Sequence, residues 1–395
     1  MSHRICFLLI CVLFSAYADV AVAAPYVPNA DTQVLERLPF KPNDPIAREM
    51  SEMRAELLRN PQNIDVAVRL AKRYYGLVAE EGDPRYLGYA QSALAPWWDM
   101  PAPPVEVQVL RAGLGQFRHD FTGAIADLTQ VIKRMPGHPQ ARALRATIYI
   151  VQAHYEQARA DCQALKTASS ALIAIGCEAM IDGLTGKATV AYQTLKTALA
   201  AHPEATPDEQ LWILIRLAEL AQRLEQYPAA EAHFKQALSL NIGDTFLLAA
   251  YADFLLDRKR PAEVVALLKE KIRSDTLLLR LVLAERILNV ATANDRQITL
   301  AARYAAAQLR GDTVHQQEEA RFALTIEDNP KRALMLAQEN WKVQLEPRDA
   351  RIFLEAALAL KDVAAAQPVL QWLDSSHIED RYLMSLATQL KGARQ

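Results

Sequence analysis

The stretch "ALRATIYIVQAHYEQARADCQAL", Ala143 to Leu165, decides the architecture. It reads as two helices with only a turn between them, and small residues sit where a globular core carries large ones. Tyr149 and Tyr155 punctuate it, and Cys162 stands near its end. Outward from Ala146, Ala112 lies 34 residues earlier and Ala179 lies 33 later, while Ala218 and Ala252 are themselves 34 apart. Ala71, Ala284, Ala320 and Ala356 extend the ladder less regularly. A second column runs Phe121, Tyr155, Ala188, Tyr227, Pro261. Three residues beyond it come Ala124, Ala158, Ala191, Ala230 and Val264, and four further Leu128, Cys162, Leu195, Phe234 and Leu268.

Antiparallel helices approach closely only where the facing side chains are small, so each unit needs alanine at its crossing points, and enlarging one overpacks the contact at roughly 1–3 kcal/mol. One hairpin cannot cover its own apolar face, so the units must stack into a continuous core. The sequence therefore predicts an all-α solenoid of stacked helix–turn–helix units. The matching positions Ala146, Tyr149, Tyr155, Ala158 and Leu165, and the segment "LAELAQRLEQYPAAEAHFKQALSL" from Leu217 to Leu240, resemble the tetratricopeptide repeat, a helical hairpin of about 34 residues. That resemblance implies a right-handed superhelix. It is strong from about Val105 to Glu270, extends to "VAVRLAKRYYGLVAEEGDPRYLGYAQSAL", and weakens with altered spacing after Leu278. The whole pattern also resembles exported bacterial repeat proteins of this family, a likeness that implies no particular activity.

Length and composition fit this reading. With 395 residues, 51% of them hydrophobic, the chain holds enough apolar surface for an elongated core, and its 13 glycines suit helices better than sheets. A formal net charge of −2, from 44 basic and 46 acidic residues, gives no electrostatic footprint for nucleic acid. The opening "MSHRICFLLICVLFSAYADVAVAAPYVP" has one positive charge, Arg4, before an apolar run too short to span a bilayer comfortably. It reads as a secretory signal cleaved after Ala23 of Ala21-Val22-Ala23, with an uncleaved anchor as the minor alternative. The expected organisation is a signal over 1–23, an extended segment over 24–48, a helical pair over 49–95 and a Pro/Trp-rich linker over 96–104. A core array follows over 105–277, then irregular C-terminal repeats over 278–395. In "ATPDEQ", Thr206 caps a helix, Pro207 takes its first position and Glu209 returns the capping-box contact.

Motifs that carry chemistry are few. Cys162 and Cys177 remain after export into an oxidising compartment, on helices that neighbour each other in a stack; a disulfide and a pair of buried, inert thiols are both open readings. "DGLTGKAT" lacks the first glycine of a phosphate loop, since Ile181 stands there. "HQQEEA" lacks the second histidine of a zinc-protease signature. In "RHDF", Asp120 reads as a helix cap beside His119. No cofactor and no metal are expected.

By the family resemblance, the first helix of each unit lines a concave wall. The positions carried over are Val109 and Phe117; Thr147, Ile150 and Val151; Met180 and Leu184; Trp212, Ile215, Glu219 and Arg223; and Phe246 and Asp253. The Lys, Asn and Arg set with which some members grip a terminal carboxylate is missing, so that mechanism is not expected. The wall suits a segment of a partner protein, unless the chain's own helices cover it. The leading expectation is an exported, non-enzymatic, periplasmic scaffold binding protein or peptide, with no nucleic acid and no stable membrane span after signal cleavage. One alternative is a small-molecule carrier or enzyme with a pocket between the array and the C-terminal helices near His315, Glu318 and Trp341. Another is a structural factor in envelope assembly or oligomerisation.

Overall fold

The computed structural model describes residues 44–312 and 314–393. The expected signal over 1–23 and the part of the extended segment up to residue 43 lie outside the described residues. The chain divides into a unit ending at Glu49 and a unit from Met50 onward that holds the helical hairpins. Among the described residues there are 21 α-helices and no strand, and no helix is long and apolar enough to cross a membrane.

After α1 (Pro45–Arg59), α2 (Ile64–Glu81) pairs with α3 (Arg85–Ala93). The region expected as a helical pair over 49–95 thus holds three helices. The expected linker contains a short helix, α4 (Ala95–Trp98), which Pro96 helps to start and which buries Trp97. Hairpins then follow in series: α5 (Val105–Phe117) with α6 (Phe121–Arg134), α7 (Pro139–Val151) with α8 (Tyr155–Leu165), and α9 (Ala171–Leu184) with α10 (Ala188–Ala201). Next come α11 (Pro207–Arg223) with α12 (Tyr227–Ser239), and α13 (Thr245–Asp257) with α14 (Pro261–Leu268). The C-terminal region continues the pairing with α15 (Asp275–Ile287) and α16 (Ala293–Leu309), α17 (Gln316–Thr325) and α18 (Pro330–Trp341), and α19 (Pro347–Leu360) and α20 (Gln367–Ser376). A last helix, α21 (Arg381–Gly392), packs against α19.

The alanine columns sit at the crossings. Ala112, Ala146, Ala179, Ala218, Ala252, Ala284, Ala320 and Ala356 are all buried. The second column, Phe121 to Pro261, marks the first residue of each second helix. Two residues before each start, the backbone turns through the left-handed region, at His119 (φ 59°), Ala153 (57°), Gly186 (76°), Glu225 (59°) and Lys259 (58°). Only Gly186 takes this conformation at no steric cost; the other four are held by the packing on either side. Caps fix the helix starts, including the full capping box of Thr206 and Glu209, and Asp120, which accepts from the Gly123 backbone N–H.

Ion pairs repeat with the units. Arg111 grips Asp127 at 2.6 Å, and Arg145, 34 residues on, grips Asp161 at 2.7 Å. Asp161 is also held by Arg142 at 2.6 Å and is 1% exposed, so the pair lies between the helices rather than on the surface. Cys162 and Cys177 are joined as a disulfide, Cα–Cα 5.4 Å, which ties α8 to α9 of the next unit.

The C-terminal hairpins do not continue outward from the array. They fold back onto the turns of α7–α13: the Leu345 N–H donates to the Val151 carbonyl at 2.7 Å, and the Trp372 indole N–H donates to the Tyr155 hydroxyl at 3.2 Å. Arg351 forks onto Asp257 with both contacts at 2.8 Å, and Arg381 reaches Glu225 at 3.2 Å. One apolar cluster holds Ile150, Cys177, Ile181 and Leu184 together with Ile352, Leu354, Leu370 and Leu383. At the other side, Thr245 at the start of α13 donates to the Glu80 carbonyl at 3.4 Å, closing the first hairpin onto the array.

Two outcomes are expected in thermal and urea unfolding. Reduction of the Cys162–Cys177 bridge, whose ends are 15 residues apart, lowers stability by about 3 kcal/mol, and a Cys162→Ala/Cys177→Ala variant starts at that lower value and ignores reductant. Ala146→Leu, at a crossing with 1% exposure, costs about 1–3 kcal/mol.

Candidate functional site

The first helices of the hairpins face inward, and the returning C-terminal hairpins turn their inner face into a cavity of about 540 Å³. Its walls come from α9, α11 and α13 on one side and from α19 and α21 on the other, with Arg280 and Arg321 between. A second, mainly apolar chamber of about 310 Å³ is lined by Tyr75, Val109, Leu144, Thr147, Ile173 and Trp212. Ile150 and Met180 line both, so the two chambers adjoin.

Two glycines allow this interior. A Cβ on Gly176 would stand 2.2 Å from the Trp212 ring, and one on Gly183 would meet Leu220 at 2.7 Å and Arg223 at 3.4 Å. Their absent side chains let α11 lay Trp212 against α9 and let Arg223 donate to the Gly183 carbonyl at 2.9 Å.

Of the positions expected to line the wall, Val109, Thr147, Ile150, Met180, Leu184, Trp212, Glu219, Arg223, Phe246 and Asp253 do face one chamber or both. Phe117, Val151 and Ile215 do not. Phe117 packs edge-on against Tyr75 at 5.4 Å, and Val151 (8% exposed) and Ile215 (3%) belong to the cores between helices. Their register points them at neighbouring units, because each first helix packs on two sides and leaves only a narrow inner stripe. The chain's own C-terminal helices take part of the inner wall, which was the alternative stated beside partner docking. The region between array and C-terminal helices expected near His315, Glu318 and Trp341 is placed elsewhere. Trp341 is core, packed against Phe353 and Trp372, and His315 precedes α17 beside Tyr304. Glu318 stands behind the cavity wall, 3.7 Å from Arg280.

The charged groups inside are largely paired. Asp253 is held by Arg280 at 2.8 Å and Arg321 at 2.5 Å. Burial alone would push its carboxyl up, but the two guanidinium groups hold it well below the usual carboxylate range. Burial would lower Arg351, but Asp257 and Glu355 raise it above its ordinary value. Arg216 and Arg348 both stand over the Phe246 ring, 4.9 and 4.6 Å from its centroid, an arrangement that keeps two cations at one aromatic face. Arg216 pairs with Glu219 at 2.9 Å, and Arg348 lies 3.4 Å from Glu346. Tyr382 donates to Glu355 at 2.9 Å. Burial drives the Asp380 carboxyl upward, although it accepts the Leu383 N–H at the start of α21.

The C-terminal contributors Arg321, Arg348, Arg351, Glu355 and Tyr382 were not foreseen from the sequence. One signal was available: Arg348, Arg351 and Glu355 recur at helical spacing in "EPRDARIFLEA" on a face otherwise apolar. A lone Arg280 within "TLLLRLVLAE" is a second such signal. Among the described residues, no group of three or more His, Cys, Asp or Glu is placed to hold a metal ion.

Asp253→Asn leaves Arg280, whose side chain is 4% exposed, with only the more distant Glu318 at 3.7 Å as counter-charge, and an expected cost of about 3 kcal/mol shows in urea unfolding at neutral pH. The folded-state value lies below the unfolded value of about 3.9, so the carboxylate's contribution is complete above that pH and is lost as the pH falls toward the folded value. The variant's stability therefore declines less steeply than the parent's as the pH is taken below about 4.

Residues 118–166 match the family model described as tetratricopeptide repeat. No curated protein matches the chain significantly. Among solved structures, the chain is similar to a tetratricopeptide repeat protein from Parabacteroides merdae, at 15% identity over 60% of this chain and 92% of that one, TM-score 0.44. It is also similar to human IFIT1, solved as a dimer with m7Gppp-AAAA, at 13% identity over 88% and 86%, TM-score 0.42. Yeast Tom70 aligns at 12% identity over 88% and 85%, TM-score 0.40.

Proposed function

We propose, from the premise that the chain is a tetratricopeptide-repeat protein, that it is an exported, non-enzymatic scaffold holding a short segment of a partner protein within its concave interior. The observation that carries this reading is the pair of adjoining chambers along the inner faces of α5–α13, one apolar and one rich in paired charges. Together they join an apolar pocket to a set of oriented polar groups, the mix that suits a peptide segment. The apolar opening segment with Ala21-Val22-Ala23 supports export to the periplasm, and the Cys162–Cys177 bridge is in keeping with an oxidising compartment.

A small-molecule carrier is the second reading. It is favoured by one observation: the charged chamber alone, at about 540 Å³, lies within the size range of ligand pockets and is walled by two separate parts of the chain.

Photo-crosslinking separates these readings. A benzophenone side chain placed at Met180 or Phe246, inside, should give discrete protein adducts in cells, whereas the same group at Val190, 60% exposed on α10, should not. Equal adducts from inside and outside positions would count against the scaffold reading. Interior positions that yield no protein adduct, combined with thermal stabilisation by a metabolite, would favour the carrier.

A further inference from the structure

The outer face of α16 does not match its counterparts. The second helices of earlier hairpins leave polar side chains exposed, such as Gln130 and Lys133 on α6, Gln157 and Gln163 on α8, and Lys235 and Gln236 on α12. On α16 one face is apolar as expected, with Ala293, Leu300, Tyr304 and Ala307 buried. The opposite face is apolar too. Ile298, Ala302, Ala305 and Leu309 recur at spacings of 4, 3 and 4 residues, so at 3.6 residues per turn they form one stripe on the side away from the buried residues. All four are exposed, Ile298 at 60% and Leu309 at 90%. A helix that is apolar on both sides calls for packing on both sides, and the described residues supply it on one. No residue of the stripe lines either interior chamber, so this face is separate from the concave wall.

The stripe and the charges beside it select the partner. In either direction it runs bulky, small, small, bulky with the same spacing. An antiparallel copy of α16 therefore sets Leu309 against Ile298 at each end and Ala305 against Ala302 in the middle, where small side chains permit a close crossing. Charge agrees with this direction. Asp295, one turn before Ile298, and Arg310, next to Leu309, lie on the same flank of the stripe at 3.6 residues per turn, and a two-fold axis turns each flank toward its own copy. Asp295 of one protomer then faces Arg310 of its partner, at both ends. Both side chains are exposed, and among the described residues neither has an ion pair within the chain. Arg296 and Arg303 on the same helix are instead engaged by Glu285 and Asp275. A parallel copy would set Asp295 against Asp295 and Arg310 against Arg310. We infer that α16 is a homodimer interface, across which two copies of this chain pair antiparallel along the stripe from Ile298 to Leu309. Its 17 residues span about 25 Å, which puts the contact at the small end of specific interfaces. The dimer is therefore expected to form at about micromolar concentration.

Size-exclusion chromatography with light scattering, run on the full chain over a concentration series, measures the association. The expected result is an equilibrium between monomer and dimer with no larger species. Leu309→Glu raises the dissociation constant about a hundredfold, because two-fold symmetry counts the lost burial twice, and Ile298→Gln acts in the same direction. Both positions are exposed in the monomer, so circular dichroism of these variants matches the parent. Asp295→Arg or Arg310→Asp alone weakens the dimer about tenfold. The Asp295→Arg/Arg310→Asp double variant restores it, which a merely damaged helix would not do. Direction is checked by cross-linking, with the parent chain as control. Ile298→Cys chains mixed with differently tagged Leu309→Cys chains form a disulfide, whereas neither pairs with itself, since like positions stand about 16 Å apart along the antiparallel axis, beyond disulfide reach. A monomer throughout the series overturns the inference, as does a dimer indifferent to Leu309→Glu. Failure of the double reversal to restore the dimer, or cross-links between like positions, overturns it as well.

Discussion

Two helices lie against each other closely only where the atoms between them are few, and that steric constraint governs the whole chain. Ala112, Ala146, Ala179, Ala218 and Ala252 meet it at successive crossings, each almost wholly buried. With those contacts in place, the larger residues of the second helices, Leu128, Leu195 and Phe234, fill the space between units. The same economy of bulk is used inside the concave face, where Gly176 admits the Trp212 ring and Gly183 admits Arg223. The interior chambers follow from the same packing rule: much of their wall is the first-helix stripe that no neighbouring unit covers, and α21 completes it.

Charge is distributed on two plans. Within units, Arg111–Asp127 and Arg145–Asp161 repeat the same bridge at the repeat period, lacing the first helix of each of these two hairpins to its second. Across the interior, the pairs are not periodic. Asp253 meets Arg321 and Asp257 meets Arg351, joining residues from different parts of the array. Such pairs, partly shielded from water, contribute through geometry and mutual dependence more than through net free energy. Their value lies in fixing where the last hairpins dock.

The hairpin architecture was legible because its determinant is local. Small residues at fixed spacing, and the column from Phe121 to Pro261 that marks each second helix, both survive in one dimension. Most of the inner wall followed from the same register, including Met180, Trp212 and Asp253. Val151 and Ile215 were misplaced because a first helix packs on two flanks, and spacing alone does not say which flank a given apolar residue takes. The left-handed turns at His119, Ala153, Glu225 and Lys259 carry no glycine to announce them. The return of the C-terminal helices entered the sequence reading only as an alternative, with no residue contacts attached to it. Contacts such as Gln344 with His119, 225 residues apart, arise from the summed rotation of many units, and no single unit encodes that sum.

That return alters the mechanics of the array. An open stack of repeats is a string: its end units touch one neighbour each and fray first, and stability is nearly a sum of nearest-neighbour terms. Here the first hairpin is fastened to the start of α13 through Thr245 and Glu80, and the last ones to α7–α13 through Leu345, Trp372 and Arg351. Among the described residues, neither the first hairpin nor the last is a loose end. Opening one terminal hairpin breaks bonds to the middle of the chain as well as to its neighbour, so the loss spreads inward. The hairpins from Met50 onward are therefore expected to unfold as one cooperative unit in place of a graded series.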